Sequence, residues 1–246
     1  MKRIAFVLCV LALPSLAQAD QLFMLTRDGR FHTLEDGPQK GTDLHVEKPY
    51  SMARFADGSL AVVHGKGLSV GDPAKLRAVP GKNDDLKELV VVGTRLCATT
   101  KGGEVVQIDA KTGKRTLLAK WPFVGFLAAD GEVLIASHDK TIEVVGATPP
   151  ASWNVGGYPI AFAAAAGHVF VATHEGPLYQ LDRATGLVRD LGMGGWFNTL
   201  GLAATATRLY AVTTSGKLWE IDFAQSKKSA LAMDGWQMAI ALLVSR

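Results

Sequence analysis

The sequence predicts an all-β, six-bladed β-propeller of four-stranded blades, and three observations carry that prediction. First, a bulky apolar residue followed by alternating apolar positions and a closing Thr or His recurs six times. The copies begin at Leu22, Leu60, Leu96, Val133, Val169 and Leu209, so their spacings are 38, 36, 37, 36 and 40 residues. A fixed period of this length marks a stacked repeat, and residues 20–246 hold six periods with no room for a second domain. Second, each period divides into four short strand candidates, A to D from the axis outwards, separated by turn residues. Third, the first copy has no A strand, whereas the apolar segment 238–244 follows the last D strand. Pairing that segment beside residues 22–27 closes the ring and leaves no open edge.

Residues 1–19 read as a secretory signal peptide. Lys2 and Arg3 form the basic start, residues 4–13 the apolar stretch, and Ala17-Gln18-Ala19 the cleavage site. The domain is therefore expected to run over 20–246. Without Lys2 and Arg3 the chain carries 24 basic against 23 acidic residues, a formal charge of +1 in place of +3. That balance argues against nucleic acid as a partner, which calls for a concentrated basic patch. No later apolar run approaches the roughly 20 residues that span a bilayer. Leu8 precedes Cys9 where lipoprotein signals carry a small residue, so no lipid anchor is expected. Cys97 is then the one remaining cysteine, and an intramolecular disulfide is excluded. The expectation is a periplasmic or secreted monomer.

The blade elements follow in order. In the sixth copy the strands fall at 200–204, 208–213, 217–223 and 228–232, with Ser215-Gly216 and Ala224-Gln225-Ser226 as turns. The third and fifth copies place Asp109-Ala-Lys-Thr-Gly113 and Asp182-Arg-Ala-Thr-Gly186 at the C-to-D turn. An Asp that bonds nearby backbone and a Gly that accepts positive φ suit a tight hairpin. These two C-to-D segments, Glu104 to Gly113 and Pro177 to Gly186, resemble repeats of the PQQ-like propeller superfamily. The resemblance implies an envelope propeller, from a group that includes quinone dehydrogenases and non-catalytic scaffolds of outer-membrane assembly. That superfamily carries a Trp four residues past the turn Gly, where this chain has Leu117 and Asp190, so no quinone or other cofactor is expected.

Two patterns mark the end of the ring that carries the D-to-A connections and B-to-C turns. Tyr50, Trp121, Tyr158, Trp196 and Trp236 each precede an A strand, in five of six connections. Rings turned to the axis form an aromatic mouth for a sugar, a planar ligand or a partner residue; rings turned between blades are wedges. The sixth connection, Gly81-Lys-Asn-Asp-Asp85, is polar. His64, His138 and His174 close B strands at one apparent position. Equivalent positions on non-adjacent blades stand too far apart for the 2.0–2.1 Å bonds of one zinc ion, so no metal site is expected. His138 beside Asp139, and His174 beside Glu175, are weak candidates for acid/base work.

The A strands, which line the axis, are poor in charge: Arg54, Lys87 and Glu88 stand out among apolar residues. Asn83, Asp84, Asp85 and Glu88 with Asn198 are too few converging oxygens for a hard cation and read as a solvated loop. The nucleophile elbow, phosphate loop, Cys-x-x-Cys and His-Glu-x-x-His motifs are absent. The sequence thus points to an exported, non-catalytic binding or scaffold propeller that meets a protein partner through the aromatic D-to-A face. The alternatives are a small-molecule or glycan-binding propeller, and a hydrolase or lyase using a B-to-C histidine.

Overall fold

The computed structural model describes residues 20–34, 41–232 and 235–245; the expected signal peptide lies outside them. Among these described residues twenty-four strands run in chain order. They are β1 (Gln21–Thr26), β2 (Arg30–Thr33), β3 (Thr42–Asp43), β4 (Ser51–Arg54), β5 (Leu60–His64), β6 (Gly67–Asp72), β7 (Lys75–Ala78) and β8 (Leu86–Val92). Next come β9 (Arg95–Thr100), β10 (Glu104–Ile108), β11 (Arg115–Lys120), β12 (Leu127–Asp130), β13 (Val133–His138), β14 (Thr141–Val144), β15 (Ser152–Asn154) and β16 (Pro159–Ala165). The last are β17 (His168–Thr173), β18 (Leu178–Asp182), β19 (Val188–Asp190), β20 (Thr199–Ala204), β21 (Leu209–Thr213), β22 (Leu218–Asp222), β23 (Lys227–Ala232) and β24 (Ala239–Ser245).

They form six four-stranded antiparallel sheets, and the ring is a six-bladed β-propeller. Blades two to six are sequential meanders. Blade one has the order β24-β1-β2-β3, so strands from opposite ends of the chain close the ring. The register pairs Leu22 with Val244 and Met24 with Leu242, as the position of segment 238–244 predicts.

Burial explains why the B strands carry the repeat signal. Each lies mid-blade, with neighbouring blades covering both of its faces, so both side-chain sets of the period-two strand must be apolar. β5 is buried along its whole length, and Leu25, Leu60, Ile135, Phe170 and Leu209 are fully enclosed. Of the outermost strands, β7 is mostly exposed and reads as polar, and β11 is half exposed with charged residues at both ends. Cys97 sits in this core, and burial pushes its thiol up to about 11, which makes it unreactive near neutral pH.

The two Asp-to-Gly hairpins fold alike. Asp109 accepts the Lys111 and Thr112 N–H groups at 2.8 and 2.9 Å, and Asp182 accepts those of Ala184 and Thr185 at 2.9 Å each. Four B-to-C turns also share one form. Thr26, Thr100, Thr173 and Thr213 each accept, at the backbone carbonyl, the N–H of a Gly three residues on. In the third blade that Gly is Gly103, at φ +77, and a Cβ there would stand 2.0 Å from the Trp121 carbonyl oxygen. We expect Gly103→Ala to cost more than about 1 kcal/mol, since it adds left-handed strain to a backbone clash. Chemical denaturation of the parent and variant measures it.

Candidate functional site

Main-chain bonds tie the D-to-A connections to the B-to-C turns and build one end of the ring. The N–H groups of Arg27, Lys101, His174 and Thr214 donate to the carbonyls of Met238, Asp85, Tyr158 and Asn198. His174 therefore shares its position with Arg27, Lys101 and Thr214, one residue past the Thr that ends the B strand. His64 and His138 are themselves the last strand residues, because their blades use two-residue turns. A one-residue offset turns a strand side chain to the opposite face, so the three histidines do not share one environment.

His64 is buried; its Nδ1 accepts the Lys66 N–H at 3.2 Å, and its Nε2 lies 2.9 Å from the Ser69 hydroxyl. Burial first, and then the Lys66 charge, lower its pKa and favour the neutral ring. His138 has Glu143 as its acid, at 3.0 Å, rather than Asp139. Glu143 lies diagonally across the β13–β14 hairpin on the same face, whereas Asp139 belongs to the turn and has φ 55. His174 is exposed, and the Glu175 carboxylate accepts the Tyr158 N–H at 3.1 Å, tying that loop to its turn.

The aromatic residues of this end occupy two positions, which the sequence spacing merges. Trp121, Trp196 and Trp236 share the first: each backbone N–H donates to the carbonyl of Gly103, Gly176 or Gly216 in its own blade. Each ring then meets the following blade. Trp121 stacks on His138 with centroids 4.7 Å apart, Trp196 meets Trp219 edge-on at 6.5 Å, and Trp236 meets His32 edge-on at 5.4 Å. Trp196 and Trp236 are only 2% and 1% exposed, so these rings pack between blades.

The second position faces solvent. Tyr50 and Tyr158 are 53% and 51% exposed, and Phe123, Phe197 and Met238 join them at 59%, 56% and 46%. All five lie in D-to-A connections, and they make up most of the eight large apolar side chains exposed among the described residues. Phe123, Phe197 and Met238 follow the wedge Trp by one or two residues, and that i, i+1 or i, i+2 pairing was the sequence signal for them. Lysines flank the rings: Lys140 Nζ lies 4.6 Å from the Tyr158 centroid and Lys87 Nζ 5.8 Å from that of Phe123.

The polar second-to-third connection is held internally. Arg115 donates to Asp85 at 2.7 Å and to Asn83 Oδ1 at 3.1 Å, and its guanidinium holds the Asp85 carboxyl below the usual range. The oxygens at Asn83 and Asp85 thus already have a cation.

All six A strands line a central cavity of about 280 Å³. Its lining side chains are apolar except for Ser51 and Glu88 towards the D-to-A end and Arg54 at the other end of β4, while the free backbone edges of the A strands make the exposed wall as polar as it is apolar. Glu88 sits in a bulge of β8, where pairing to β9 shifts between Leu86 and Leu89. β16, β20 and β24 bulge at the same level, with apolar residues there. Glu88 Oε2 receives the Ser51 hydroxyl at 3.2 Å, and the Ser51 oxygen in turn accepts the Leu89 N–H at 3.0 Å. Desolvation within this wall raises the Glu88 carboxyl to about 7, against the smaller opposing effects of Ser51 and Lys87.

No protein-family model matches the chain, and no curated protein matches it in sequence. Solved structures do match its fold. A chain of the nidogen/laminin complex aligns over 93% of this chain and 99% of its own length, with a TM-score of 0.74 and 10% identity. The extracellular domain of the one component system BT4673 from B. thetaiotaomicron aligns over 88% of this chain, with a TM-score of 0.61 and 10% identity. PorZ, a surface component of the type-IX secretion system of Porphyromonas gingivalis, aligns over 86% with a TM-score of 0.54 and 14% identity. The match spans 37% of the BT4673 chain and 31% of PorZ. Among the described residues no helix is long and apolar enough to cross a membrane.

Proposed function

We propose that this chain is an exported, non-catalytic binding propeller of the envelope that meets a protein partner through its D-to-A face. The observation that carries the reading is the confinement of Tyr50, Phe123, Tyr158, Phe197 and Met238 to one end of the ring. Exposed large apolar side chains gathered on one face mark a contact surface, since isolated ones are scattered by default. Trp121, Trp196 and Trp236 serve that surface from beneath, fixing each loop against the next blade. Export is supported by the pattern of residues 1–19. A nidogen/laminin chain of the same fold, taken from a protein complex, fits a propeller used for protein contact. The PQQ-like reading of the repeat rests on the Asp109 and Asp182 hairpins.

The test is affinity capture from envelope extract with the parent and a Phe123→Asp/Phe197→Asp variant. Both side chains are exposed, so the melting temperature is expected to stay within about 2 °C of the parent. The reading requires a protein retained by the parent and reduced at least tenfold with the folded variant. Equal capture by both proteins removes this face as the contact surface.

A further inference from the structure

We propose that the central cavity is a binding site for a small organic cation, a protonated amine on an apolar body, with Glu88 as its charged anchor. Three geometric observations carry this. The cavity, at about 280 Å³, lies just below the roughly 300–1,000 Å³ of ligand pockets that hold drug-sized molecules, a size suited to a smaller ligand. An apolar cavity of about 150 Å³ already admits benzene, so there is room here for an aromatic ring and a short amine chain. The walls at Met52, Leu89, Phe126, Phe162, Leu202 and Leu242 suit such a body.

The second observation is the placement of Glu88. The bulge in β8 places a carboxylate at a level where the bulges of β16, β20 and β24 carry apolar side chains. Ser51, fixed by the Leu89 N–H, donates to one carboxylate oxygen, so the group is oriented. The third is the missing counter-charge. Among the described residues no cation lies within 4.0 Å of Glu88. The neighbouring Lys87 is exposed and its ammonium lies over Phe123. Glu88 is half-buried, and a carboxylate partly desolvated without a cationic partner is costly; a ligand ammonium offsets that cost by direct pairing.

The groups around Glu88 leave its titration readable. From β4 it meets Ser51, while Arg54, three residues along the strand, lies over the Phe23 ring at 4.4 Å. From β5, His64 is engaged with Ser69 and the Lys66 N–H. From β9, Thr99 Oγ1 accepts the Glu88 N–H at 3.1 Å. β12 presents apolar residues here, and its Asp130 is paired with Arg183.

Calorimetry on the full mature chain with 2-phenylethylamine, and with 2-phenylethanol as its uncharged isostere, tests the site. We expect the amine to bind at least tenfold tighter than the alcohol at pH 8, and its affinity to fall about tenfold by pH 6 as Glu88 takes up a proton. Glu88→Gln is expected to abolish the preference while leaving the weak binding of the alcohol. Equal affinity for both probes, or a preference that survives Glu88→Gln or shows no pH dependence, overturns the proposal. The pH series uses the parent alone, so it decides the matter even if the variant fails to fold. This site is independent of the D-to-A face, and Phe123→Asp/Phe197→Asp should leave amine binding intact.

Discussion

Glu88→Gln is expected to stabilise the protein at pH 8 by about 3 kcal/mol. The carboxyl titrates at about 7 in the fold against 4.5 as a free group, because the cavity wall desolvates its charged form. In a folded acid with a raised pKa, the native state holds its proton over a range where the unfolded state has released it. Stability is therefore undiminished below about pH 4.5, falls between about 4.5 and 7, and stays at its reduced level above that. Gln keeps the size and an acceptor for the Ser51 hydroxyl and removes the titration. For a domain of this length, 3 kcal/mol corresponds to a rise of roughly 6–12 °C in melting temperature. The advantage should shrink below about 1 kcal/mol at pH 5. Urea denaturation of both proteins at the two pH values measures it, and an advantage that does not change with pH would contradict the assignment.

Deleting residues 239–246 is expected to unfold the whole ring rather than trim its end. The deletion removes β24, which pairs with β1 along six register positions and supplies the A strand of blade one. It also strips Leu242 and Ala239 from the cluster that holds Leu22, Met24 and Trp236. One buried Leu lost to Ala costs about 2–5 kcal/mol, and total stabilities are about 5–15 kcal/mol. Removing a full strand, with its ladder and its apolar side chains, exceeds what such a ring can absorb. Circular dichroism and thermal melting of the truncated chain check this, with loss of the cooperative transition as the expected result. Leu242→Ala should give a folded protein destabilised by about 3 kcal/mol.

The fold was legible because a propeller repeats the same burial problem six times. Every B strand is covered on both faces, so Leu60 to Val63 and Val169 to Ala172 read as continuous apolar runs whatever the loops do. The ring closure was legible too, since an unpaired first blade and an unassigned apolar tail have one economical solution.

The candidate site was legible only as a set of loops. Spacing alone placed Trp196 and Tyr158 in one class, because both stand shortly before an A strand. Connection lengths differ between blades, however, and only the main-chain bonds to Gly176 and from His174 assign them to separate positions. The same one-residue ambiguity aligned His174 with His138. Their faces differ because strand side chains alternate, and a turn one residue longer in the fifth blade shifts the strand end by one. The partner of His138 was hidden for a related reason: Asp139 is adjacent in sequence, but Glu143 is adjacent across the hairpin.

What the sequence alone determined is the period, the blade count and the strand that closes the ring, since these follow from apolar patterning, a local and repeated property. Only the tertiary structure decided which aromatics are wedges and which face solvent, and that Glu88 lies in an apolar channel beside Ser51. Those depend on loop geometry, on bulges that offset the register, and on contacts between blades some 37 residues apart, none of which a linear pattern encodes.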